Sequence, residues 1–158
     1  MTQKESYTLG ESLPYLLNRL GVRMGNLFAK RIASLGLTVP MYRVLAALLE
    51  RGDRKLNELS AATTVELSTM SRLVGQMASA GLLTRRRLPN DERTVQINLT
   101  PDGRALAEQV RAEAMQYEHV AVSVLNPGEV DKFRSSLKRI YEALDQLEEE
   151  LSTPLIGQ

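Results

Sequence analysis

Between residues 66 and 124 the apolar period changes twice, and this double switch constrains the fold more than any other feature of the chain. From Glu66 to Ala80, Leu67, Met70, Leu73, Val74 and Met77 recur at three- and four-residue spacing, one face of a helix. Gly81 stops it. From Leu82 to Arg87 and from Thr94 to Leu99 the period is two, with Pro-Asn-Asp between the runs as the turn of a hairpin. In the second run Val95, Ile97 and Leu99 point one way, Gln96 and Asn98 the other. At Thr100-Pro101-Asp102 the helical period returns. Thr100 is placed to cap, Pro101 needs no N–H in the first turn, and Asp102 complements the positive end of the helix dipole.

Upstream, a short helix from Lys55 to Ala62 turns Leu56 and Leu59 inward and is broken by Thr63-Thr64-Val65. Two helices joined by a short turn and followed by a hairpin make a winged helix-turn-helix. Before it, residues from about Glu11 to Leu35 place Leu13, Leu17, Leu20, Met24, Leu27 and Phe28 on one helical face. Gly21 and Gly25 either weaken this helix or admit a second backbone. Another helix follows the cap at Thr38 and carries Val44, Leu45, Leu48 and Leu49 as far as Glu50. After the hairpin, one long helix reaches about Val124 with Leu106, Val110, Ala114, Tyr117, Ala121 and Val124 in a stripe. Beyond Asn126-Pro127-Gly128 a last helix sets Phe133, Leu137, Ile140, Leu144, Leu147 and Leu151 at coiled-coil spacing. The expected fold is mainly α with a small β-hairpin wing. The outer helices are too long and too apolar on one face for a monomer of this size, which predicts a homodimer.

At 158 residues the chain is one domain, and 43% apolar residues suffice for a packed core. Cysteine is absent, which excludes disulfides, thiolate catalysis and zinc ribbons and suits a reducing compartment. The opening MTQKESYTLGESLPYLL lacks the order of a secretory signal, and no apolar run is long enough for a bilayer. The expectation is a cytoplasmic protein without a membrane partner. With His119 as the one histidine and no phosphate-binding glycine run, nothing assembles into a catalytic, metal or cofactor site. Glu148-Glu149-Glu150 diverge around a helix and read as a solvated face. The chain is not expected to be an enzyme.

A net charge of +1 conceals an uneven distribution. From Arg54 to Arg93 there are seven basic and four acidic residues; from Pro127 onward there are four basic and seven acidic. The middle of the chain seeks anions and the end does not. RRRLPNDERT gathers Arg85, Arg86, Arg87 and Arg93 around a turn that contains Asn90. So many like charges repel one another unless a polyanion meets them. A narrow minor groove, where negative potential is concentrated, attracts arginine. Asp91 is expected to pair with a strand arginine and orient the tip, a contact worth only ~0–1 kcal/mol in stability. The alternative is a solvated basic loop.

The polar face of the 66–80 helix offers Ser68, Thr69, Ser71, Arg72 and Gln76. In a helix-turn-helix this face enters the major groove, where Arg72 can bond guanine O6 and N7 and Gln76 adenine N6 and N7. Gly75 lies in mid-face at a helix cost of ~1 kcal/mol. Either the helix backbone approaches DNA closely there, or the glycine packs against a neighbour.

The segment SRLVGQMASAGLLTRRRLPNDERTVQINLTPDGRAL resembles the MarR family of bacterial transcriptional regulators. Asp91-Glu92-Arg93 followed by Leu99-Thr100 is similar to the family's D-x-R…L-T wing signature, and the resemblance covers about residues 11–150. It implies a triangular homodimer on a pseudo-palindromic operator, with residues 38–100 as the DNA-binding lobe and 11–35 plus 101–151 as the dimerisation region. It also implies Arg93 in the minor groove, Asp91 as its supporting carboxylate, and Ser71, Arg72 and Gln76 at recognition-helix contact positions. Release by a small ligand is frequent in the family, and the positions it implies are Tyr15, Arg19, Arg23, Tyr42 and His119. Two arginines and two phenols suit an aromatic carboxylate or the phosphates of an acyl-CoA thioester. Alternatively, Arg19 and Arg23 are solvated flanks of the apolar stripe and His119 is a surface residue. The other readings of the whole chain are a winged-helix protein-docking module and a regulator that needs no ligand.

Overall fold

A computed structural model describes residues 8–88 and 91–152, without the side chains of residues 88 and 91–94. Six α-helices and three strands are described: α1 (Leu13–Ile32), α2 (Val39–Arg51), β1 (Arg54–Lys55), α3 (Leu56–Thr63), α4 (Leu67–Ser79), β2 (Leu83–Leu88), β3 (Asp91–Leu99), α5 (Pro101–Ala121) and α6 (Pro127–Ser152). The architecture is the mainly helical winged helix that the double period switch predicts. Two compact units divide the chain, the first ending at Tyr117 and the second starting at Glu118.

In the first unit the apolar faces of α2, α3 and α4 converge. Leu45, Leu48, Leu59, Met70, Val74 and Met77 are fully buried, joined by Ile97 from the wing, Val110 from α5 and Ile32 from the end of α1. Several starts follow from local chemistry. The Thr38 hydroxyl accepts from the Met41 N–H at 3.4 Å, and Pro40 sits in the first turn of α2, where its missing donor costs nothing. The Glu58 carboxylate accepts from the Lys55 N–H at 2.8 Å and secures the start of α3.

The wing is a three-stranded antiparallel sheet in the order β1-β3-β2. β1 escapes a sequence reading because two residues show no period; only pairing of Arg54 with Ile97 and of Lys55 with Gln96 makes them a strand. Lys55 therefore belongs to the sheet, not to the helix after it. Leu83 through Arg87 pair with Leu99 through Val95, and the register shifts between Arg87 and Leu88, which pairs with Asp91.

The base of the wing is tied to α5 by Thr100. Its N–H donates to the Leu82 carbonyl at 3.0 Å, its hydroxyl donates to the Gly81 carbonyl at 2.6 Å, and the same oxygen accepts from the Gly103 N–H at 2.9 Å. A Cβ at residue 103 would stand 1.9 Å from the Leu82 carbonyl oxygen, so the helix can approach this closely only through glycine.

One expectation changes. Leu67, expected on the buried face of α4, is 49% exposed, because it opens the helix ahead of the first inward turn at Met70. Of the α1 stripe only Phe28 is buried; Leu13, Leu20 and Leu27 are exposed, and Leu17 and Met24 half-buried. Periodicity marks an apolar face without saying what covers it.

In the second unit the Glu129 carboxylate accepts from the backbone and side-chain amides of Asn126 at 2.8 and 3.0 Å, capping α6. Arg134 contacts Glu118 at 3.0 Å and Asp131 at 3.2 Å. No described residue of α6 is buried: Phe133, Ile140, Leu144, Leu147 and Leu151 are all exposed. α5 ends at Ala121, short of the expected Val124, and both of these residues are exposed.

Candidate nucleic-acid interface

α4 is two-sided because its apolar residues fall at positions 70, 73, 74 and 77, all buried. The opposite side carries Ser68, Thr69, Ser71, Arg72 and Gln76, every one exposed. Gly75, between Arg72 and Gln76, is half-buried, and a Cβ built there meets nothing within 4 Å. Packing of Gly75 against a neighbour is therefore not seen among the described residues.

The turn that aims α4 is held by hydrogen bonds. Thr64 adopts the left-handed conformation (φ 53°, ψ 40°), uncommon for a residue with a branched Cβ. Its hydroxyl donates to the Thr63 carbonyl at 2.7 Å, and the Ser60 hydroxyl reaches across to the Val65 carbonyl at 2.6 Å. Arg43, from α2, donates to the Thr63 carbonyl at 3.2 Å and to the Thr64 hydroxyl at 3.4 Å. Sequence reasoning missed Arg43. It is a single basic residue beside the apolar face of α2, and only the folded chain brings it to the turn.

The hairpin resolves the crowding of its arginines. Arg85 and Arg87 face Ile97 and Val95 across the ladder, whereas Arg86 faces Gln96. Alternation therefore sends Arg85 and Arg87 to one side of the sheet and Arg86 to the other, all three exposed. Asn90 lies outside the described residues. Asp91 and Arg93 are described as backbone positions of β3, and their side chains lie outside the description, as does any pairing of Asp91 with an arginine. Behind the wing, Lys55, Leu56, Asn57, Leu67, Arg85, Val95 and Ile97 line an open pocket of about 350 Å³. Its lining combines two cationic side chains, Lys55 and Arg85, with four apolar ones and Asn57.

The suggested effector residues are not all together. Tyr15, Arg19 and Arg23 are exposed on α1. Tyr42 is half-buried, its ring 4.9 Å from that of Phe28 and inclined at 70°. Phe28 also lies 5.3 Å from the ring of Tyr117, whose hydroxyl donates to the Met24 carbonyl at 2.8 Å. Along α1 the rise from Tyr15 to Phe28 is about 20 Å, so Tyr15 is remote from this aromatic group. His119 is exposed and belongs to the second unit.

A sequence model of the MarR family matches residues 37–95, from the start of α2 into β3. The multiple antibiotic resistance protein MarR of Salmonella typhimurium is 30% identical over 129 residues, covering 81% of this chain and 88% of that protein. The chain belongs to the MarR family. Another relative is the HTH-type transcriptional repressor IacR of Pseudomonas putida, 26% identical, with 84% of this chain and 80% of that protein covered. Among solved structures, the Bordetella bronchiseptica regulator BpsR superposes with a TM-score of 0.79 at 30% identity, covering 86% of this chain and 97% of that one. Its DNA binding is described as regulated by 6-hydroxynicotinic acid. MarR proteins are transcription regulators and not enzymes. Membership explains why a winged helix occupies the centre of this chain. Among the described residues, no single helix is long and apolar enough to cross a membrane.

Proposed function

We propose that this MarR-family regulator is a homodimeric, cytoplasmic repressor that binds a pseudo-palindromic operator and is released by a small ligand. The observation that carries the DNA reading is the exposure of Ser68, Thr69, Ser71, Arg72 and Gln76 on the helix next to the arginine-bearing wing. Arg72 and Gln76 read base edges in the major groove, Ser68, Thr69 and Ser71 bond bases or phosphates, and the hairpin tip with Asn90, Asp91 and Arg93 reaches the adjacent minor groove. Arg85, Arg86 and Arg87 supply phosphate contacts from both sides of the wing.

The exposed apolar residues of α1 and α6 support the dimer. Leu13 is 64% and Leu151 78% exposed, and a soluble chain seldom leaves such rows uncovered. Residues 11–35 and 101–151 form the dimerisation region and 38–100 the DNA-binding lobe. A symmetric pair presents two recognition helices one turn of DNA apart, roughly 34–36 Å. The effector is an aromatic carboxylate, a class supported by what regulates the relative BpsR, with an acyl-CoA thioester as the second choice. Tyr15, Arg19, Arg23, Tyr42 and His119 are the residues to test for it.

Footprinting of genomic fragments retained by the purified protein tests the reading. A symmetric protected site, lost as salt rises with a log–log slope near 0.9 per phosphate contact, is the expected result. No retained fragment at low ionic strength would leave the chain a protein-docking module, and retention insensitive to every aromatic acid and CoA thioester would make it ligand-independent.

A further inference from the structure

We propose that Gly75 is a specificity-determining residue, kept free of a side chain so that the backbone of α4 can lie against base edges at the centre of the recognition surface. The inference rests on the DNA-binding role proposed above and deepens it. Glycine is the poorest helix former after proline, so an interior glycine calls for a reason. Two ordinary reasons are missing at Gly75. Its backbone is right-handed helix and not one of the positive-φ positions, so no conformation demands it. A Cβ added to it meets no heavy atom within 4 Å among the described residues, so no packed neighbour there demands it either. Gly103 shows the opposite case in the same chain, with a carbonyl oxygen 1.9 Å from the missing atom.

What remains is a requirement from outside the folded chain, on the face where Gly75 sits. Arg72 lies one turn before it and Gln76 directly after it, both exposed. These are the two side chains of the helix that can bond bases bidentately. A gap beside them lets both reach inward while the helix axis settles deeper in the groove. A methyl group at that point would hold the helix away from the bases and lengthen both sets of hydrogen bonds.

The prediction separates stability from recognition. Gly75→Ala and Gly75→Leu are compared with the wild type for melting temperature, oligomeric state, and affinity for an operator fragment selected with the wild type and for an unrelated duplex. Gly75→Ala is expected to melt about 2–4 °C higher, since alanine favours helix and nothing blocks it. Its affinity for the operator is expected to fall about tenfold, the size of one mismatched base pair, and that of Gly75→Leu further. Affinity for the unrelated duplex, set by phosphate contacts, stays within twofold. Operator affinity of Gly75→Ala within twofold of wild type, equal losses on both duplexes, or loss of the oligomer would each overturn the inference. A wild type that binds no duplex overturns the DNA-binding reading along with it, whereas a wild type that binds beside an equally tight alanine variant overturns the inference alone.

Discussion

Gly103 and Leu82 approach so closely that a Cβ on the first would stand 1.9 Å from the carbonyl oxygen of the second. The start of α5 is thereby pressed against the strand entry of the wing, with Thr100 bonding both sides of the junction. Gly103→Ala must push the two backbones apart, and backbone cannot yield as a side chain tip does. The expected loss is about 1–3 kcal/mol of unfolding free energy, as for other overpacked sites, read as a lower urea midpoint. Thr100→Ala removes the cap and should cost about 1 kcal/mol at the same junction.

Arg43 connects α2 to the turn before the recognition helix. Its side chain is exposed, so Arg43→Ala should lower global stability only by about 0.5–1.5 kcal/mol. The local effect is larger. Thr64 is held in an unfavourable conformation, and with less to hold it the amides from Val65 to Met70 should exchange with solvent faster than those of α5. Equal exchange in variant and wild type would show that the arginine adds nothing to the turn.

Arg72 and Arg93 are assigned different tasks. Arg72→Ala should relax preference at one base position, at a cost of about 1–3 kcal/mol on the preferred operator. Arg93→Ala should weaken binding to most operators that share a narrow minor groove. Binding profiles measured over a panel of operator variants distinguish the two; superimposable profiles would contradict the division.

The apolar row of α6 has no cover within its own unit. Leu144→Glu combined with Leu147→Glu should abolish self-association, since a buried leucine contributes about 1.5–3 kcal/mol and a buried carboxylate opposes it. Sedimentation equilibrium reads the result directly. A wild type that sediments as a monomer at micromolar concentration would remove the need for the test and the dimer with it.

Much of the site could be read from residue order alone. The exposed face of α4 follows from the apolar residues at 70, 73, 74 and 77, and the hairpin follows from the change to period two around Pro-Asn-Asp. The opposed directions of Arg85 and Arg86 follow from the same period. These are local properties, set by repeats of 3.6 and 2 that a chain carries wherever it folds. The Thr100 cap is local for the same reason, its hydroxyl accepting from an N–H three residues on.

Tertiary structure decided what depends on residues far apart in the chain. β1 exists because Arg54 meets Ile97, forty-odd positions away, and two residues have no period to announce it. Arg43 finds its turn across twenty residues, and the glycine at 103 is required by a carbonyl at 82. Leu67 looks buried by pattern and is exposed in space, because burial is a relation between surfaces. A sequence lists the surfaces that want cover; only folding determines which of them receive it.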